Sequence, residues 1–168
     1  MAGTRRRGRG SGDDVIGILA GPLKRSILAR VAGLDLATPG DLGDSVQVTP
    51  TLAPEPERKA VYGGRTTWIQ RDVLAERNVA YEQTITFEVR VRVVDLGDDV
   101  DAAEKEAERI VSLVVAGVAA EPDLTGGRGR IVATSGDSDP VVATPGPTPV
   151  VIVNLGVVFT TTLSVLGG

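Results

Sequence analysis

Side chains that commonly carry chemistry are scarce in this chain. It contains no cysteine and no histidine in 168 residues. That removes disulfides, thiolate metal sites and the imidazole that most often serves as general base or zinc ligand near neutral pH. Ser-His-Asp and Cys-His mechanisms are therefore excluded. Carboxylate-only metal binding and lysine chemistry remain. Only three lysines occur (Lys24, Lys59 and Lys105), and none sits in a recognisable motif. The acidic cluster Asp95, Asp98, Asp99 and Asp101 lacks the glycine and terminal glutamate of a calcium loop, and reads better as a capped helix start. Asp137 and Asp139 read as turn residues. Gly126-Gly127-Arg128-Gly129 and Gly8-Arg9-Gly10 are glycine-rich, but neither continues into the Lys-Ser/Thr of a phosphate loop. The expectation is a protein without catalytic residues, cofactor or metal.

The elements that would position side chains are better specified than any site. From residue 81 to 94 the odd positions, Tyr81, Gln83, Ile85, Phe87, Val89, Val91 and Val93, are mostly apolar. The even positions, Glu82, Thr84, Thr86, Glu88, Arg90 and Arg92, are all polar. Strand side chains alternate between faces, so this pattern predicts a strand with one buried and one wet face. A turn at residues 95–98 leads to a helix expected over 99–120. Val100, Ala103, Ala107, Ile110, Val111, Val114 and Val118 form its apolar stripe, and its second half should be covered on most sides. Asp101 and Lys105 are spaced to pair, and Pro122 stops the helix. A second one-sided strand is expected over 150–166, with Val151, Val153, Leu155, Val157, Phe159, Leu163 and Val165 on its apolar face. The two strands should pair, with the helix packed across their shared apolar face.

The remaining segments are less regular. A helix is expected over 22–32, with Pro22 in its first turn and Gly33 as C-cap. Short strands are expected at 45–49, at 57–63, where Gly63-Gly64 would end the strand, and at 130–133. Residues 68–78 read either as a continuing strand or as a mobile loop, and residues 137–149 as a loop rich in proline. The fold class is α+β: a mixed or antiparallel sheet with one long helix on one face, an N-terminal helix and long loops.

Composition supports a single domain over residues 13–168, preceded by a basic arm at 1–12 that is disordered when free. Apolar residues make up 42% and aromatic residues 3%, so the core must rest on aliphatic side chains. The first twelve residues carry four arginines and no acid, +4 against a chain total of −4, so the other 156 carry −8. A basic arm on an acidic body suits docking onto an acidic neighbour, a second copy included. No signal peptide and no membrane-spanning run is evident, so a soluble protein made in a cytoplasm is expected.

The order of elements resembles that of the tail terminator (tail completion) proteins of long-tailed double-stranded DNA bacteriophages. The resemblance covers residues 13–166. A helix around 24–32 leads to a short strand and a proline-rich stretch at 46–56, then a strand at 59–62. The run Tyr81-Glu82-Gln83-Thr84-Ile85-Thr86-Phe87-Glu88-Val89 follows, with the helix 102–118 behind it and a closing strand. The arginine-rich head lies outside that pattern. The resemblance implies a virion protein of the tail or neck, made in the host cytoplasm, that forms a six-fold ring with itself. Such a ring caps the tail-tube protein and joins it to a neck or connector protein, with DNA passing through the lumen without sequence specificity. Alternatives are another neck, connector or tail-tube subunit or, in a different class, a nucleic-acid-binding accessory protein using the arginine arm. The expected interface residues are Arg5, Arg6, Arg7 and Arg9 of the arm, Trp68 and Arg71, and the wet-face residues Glu82, Glu88, Arg90 and Arg92.

Overall fold

The computed structural model describes residues 19–37, 45–75, 78–97, 99–126 and 128–166. The arginine arm lies outside them. The elements run α1 (Ala20–Ala32), β1 (Gln47–Thr49), β2 (Lys59–Ala75), β3 (Asn78–Asp95), α2 (Val100–Ala119), a 3-10 turn at Pro122–Thr125, β4 (Val132–Ala143) and β5 (Val150–Leu166). The architecture is α+β, as expected. Its five strands form one sheet in the order β1-β2-β3-β5-β4, with β1 parallel to β2 and every other pairing antiparallel.

The two strongly patterned strands are central neighbours. β3 and β5 pair without a break from Ala80↔Leu166 to Asp95↔Val151. Ile85, Phe87, Val89 and Val91 of β3 and Val151, Val153 and Phe159 of β5 are buried on one face. Phe87 and Phe159, directly opposite, stack with ring centroids 5.2 Å apart. The α2 stripe Ala103, Ala107, Ile110, Val114 and Val118 closes on that face, and Leu23, Ile27 and Val31 of α1 join the same core. Burial of this kind stabilises by about 25 cal/mol per Å² of apolar surface. Asp99 caps α2 by accepting the Ala102 N–H at 3.0 Å, and Lys105 pairs with Asp101 at 2.6 Å. Gly117 of α2 accepts from Arg30 of α1 at 3.2 Å and leaves room for Leu34 just past α1; a Cβ at Gly117 would stand 2.5 Å from the Leu34 side chain.

Three expectations need correction. The Gly63-Gly64 pair does not end β2, which continues through a bulge between Gly63 and Thr66 to Ala75. These glycines serve packing. A Cβ on Gly63 would stand 2.6 Å from the Pro50 carbonyl, and one on Gly64 would meet the Glu88 carboxylate. Residues 68–75 are therefore strand and not a loop. Residues 137–143, expected in a loop, belong to β4. Every β4 residue from Val132 to Val142 is exposed, so no inside–outside alternation marked it, and its position at the sheet edge tolerates Pro140. The second half of α2 is covered on one side only: Leu113 is 37% exposed and Ala116 is exposed as well.

Candidate assembly surface

Period-two alternation gives the sheet a second face, turned away from Phe87 and Phe159. On β3 it carries Glu82, Thr84, Thr86, Glu88, Arg90 and Arg92, all half-buried. Two kinds of network cross it. In the first, the Glu88 carboxylate pairs with Arg90 at 2.8 Å and accepts the Arg65 backbone N–H at 3.4 Å. Arg90 reaches on to Asp137 of β4 at 3.2 Å. Gly156 of β5, opposite both Arg90 and Asp137, makes this crossing possible, because a Cβ there would run into Asp137 and approach Glu88. Burial works against the Arg90 charge, but hydrogen bonds to Glu88 and Asp137 outweigh it and hold its pKa above the ordinary arginine value.

The second network is a run of threonine hydroxyls. Thr84 meets Thr162 at 3.1 Å, Thr86 meets Thr160 at 3.5 Å, and Thr134 meets Thr160 at 3.3 Å. The polar groups in both networks bond largely to each other across strands. They stiffen the sheet and present a mixed-charge surface. Among the described residues no three acidic side chains converge as a metal site. A groove of about 500 Å³ between α1 and β1 is lined largely by apolar atoms, with Leu28, Val48 and Pro50 in its wall and Lys24 and Arg25 at its rim.

The structure brings Glu88 and Arg90 together, as the spacing of the wet face allows. Glu82 stands opposite Arg71 on this same face, and Arg92 stands between Ala60 and Asn154. Trp68 is apart from them. It lies opposite Ile85 on the helix side of the sheet, beyond the helices' cover, and is 42% exposed. Arg5, Arg6, Arg7 and Arg9 fall outside the described residues. Asp137 was missed as part of the charged face, because its partner Arg90 lies 47 residues earlier in sequence. Also missed were the exposed apolar residues Ile69, Val132, Val141 and Val142. The signal available for them was a β-branched run between turn residues, with no alternation to mark its face.

No family model and no curated protein matches this sequence. Among solved structures, the chain is similar in fold to one described as the virion of a native gene transfer agent (GTA) particle. The TM-score is 0.55 at 15% sequence identity, and the alignment covers 88% of this chain and 98% of that one. The likeness therefore spans the whole α+β unit of the neighbour.

Proposed function

We propose that this chain is a structural subunit of a phage-like virion, and within it a tail terminator whose ring caps the tail tube and joins it to the neck. The observation that carries this reading is the fold held in common with 98% of a chain from a gene transfer agent virion. The order of elements in the sequence points the same way. The surface chemistry is consistent with assembly: charged and hydroxyl groups on the outer sheet face bond to each other across strands. The partners on this reading are other copies of the chain, a tail-tube protein and a neck or connector protein, with DNA passing through the lumen. No reaction is assigned.

Electron microscopy of the purified chain and of intact particles tests the reading. Closed rings of uniform diameter are expected, and labelled copies should sit at the single junction between tube and neck. Label repeated along the tube would make the chain a tube subunit. A chain missing from the particle altogether would end the proposal.

A further inference from the structure

Two strands of the sheet present an open main-chain edge, and they lie at its opposite ends. β4 is the last strand, and among the described residues nothing pairs with its outer side. At the other end β1 pairs only with Ala60, Val61 and Tyr62, and Lys24 bonds to the Gly64 carbonyl, which leaves residues 65–75 of β2 without a strand neighbour on that side. An unpaired edge is a template for another strand. Both edges also carry apolar side chains in water: Trp68 and Ile69 on β2 are 42% and 62% exposed, and Val141 and Val142 on β4 are 44% and 57% exposed. Both edges carry exposed charges, Arg65, Arg71 and Asp72 on β2 and Asp137 and Asp139 on β4. Arg71 and Asp139 are opposite in sign, lie on the outer face, and neither has an ion-pair partner among the described residues.

We propose that β4 of one copy adds antiparallel to the open part of β2 in the next copy, in the register Val142↔Trp68, Val141↔Ile69 and Asp139↔Arg71. This deepens the ring reading and rests on it. Strand direction follows from the topology. β2, β3, β5 and β4 alternate in direction, so β4 runs opposite to β2. Rotation about an axis inclined to the strands by less than a right angle preserves their sense and faces, so a head-to-tail neighbour meets β4 antiparallel and the sheet continues. Faces also agree. Val142 and Trp68 lie opposite Val151 and Ile85 on the helix side; Val141 and Ile69 lie opposite Ile152 and Thr84 on the outer side.

The register is specific. A slip of one residue sends each apolar side chain to the wrong face. A slip of two sets Asp139 against Ile69 or Val73 and separates it from Arg71. Residues 67–73 and 137–143 avoid both bulges, at Gly63/Thr66 and Ala133/Ser135. Pro140 falls opposite Gln70 and removes one donor, which an added edge pairing tolerates. Because β1 occupies the start of β2, neighbouring copies must be staggered along the strands, and the ring closes through a matching tilt of the strands to its axis.

The chain has no native cysteine, so paired cysteines report the contact directly. Within one copy β2 and β4 are separated by three strand spacings, about 14 Å, beyond the roughly 7 Å that a disulfide spans. Any bond is therefore between copies. A Trp68→Cys, Val142→Cys chain and an Ile69→Cys, Val141→Cys chain should each oxidise to a ladder ending at the full ring. Trp68→Cys with Val132→Cys, out of register, should not. Arg71→Asp should weaken assembly roughly tenfold, and adding Asp139→Arg should restore it. Rings that form but cross-link no faster than the out-of-register control would overturn this pairing and leave the ring reading standing. Absence of both rings and cross-links, in solution and in particles, would end both.

Discussion

Gln83 shows how a residue that interrupts a pattern can hold the fold together. It occupies an apolar-face position of β3 and is 0% exposed. Its amide oxygen accepts the Leu19 N–H at 3.0 Å, and its amide nitrogen donates to Gln70 at 3.1 Å. Gln83→Leu leaves those partners without it and should destabilise the chain by about 1–3 kcal/mol, read from the denaturant midpoint. Gly156 makes a second test. Gly156→Val pushes into Asp137 and Glu88 and should cost about 1–3 kcal/mol, whereas Gly146→Ala, with nothing within 4 Å, should shift the midpoint little. An unchanged Gly156→Val midpoint would show that the charged crossing yields freely. The sequence marked Gln83 only as an exception in an apolar row. Its partner Leu19 is 64 residues away, a distance no local pattern reports.

The long helix and the two central strands behave as one unit, because each has an apolar face only the others can cover. Ile110 and Phe87 are 0% and 1% exposed. Ile110→Asp or Phe87→Asp places an unpaired carboxylate in this core and should abolish soluble, folded protein. Leu113→Asp, on the open side of the same helix, should remain folded with a midpoint within about 0.5 kcal/mol of the parent. Far-ultraviolet circular dichroism of the soluble fraction separates these outcomes. A well-folded Ile110→Asp protein would show that the stripe is not core. These three elements were legible because each buries one face. β2 beyond the glycines and β4 were not, since edge strands exposed along their length carry no alternation.

The separation of charge acts over the full chain. Four arginines precede a body of formal charge −8, and ordering them requires an acidic surface. On the ring reading the receiving surface is a neighbouring copy or a neck protein. Deleting residues 2–10 should weaken ring or neck attachment, with the difference from the full chain shrinking as salt rises. The melting temperature of the free subunit should barely change. Equal assembly of truncated and full chains at low and high salt would leave the arm without a role in assembly.

The sequence by itself determined the α+β class, the pairing partners β3 and β5, and the helix that covers them. Those features rest on amphipathic periodicity, which is written locally along each segment. It also excluded histidine- and cysteine-based chemistry, since composition alone decides that. Tertiary structure decided where β2 ends, that β4 is a strand, and that Asp137 completes a crossing begun by Glu88 and Arg90. It also placed the two open edges at opposite ends of one sheet. Each of these depends on hydrogen bonds and contacts between distant residues, and neither spacing nor periodicity encodes such a meeting. Register and strand order appear only when the strands lie side by side.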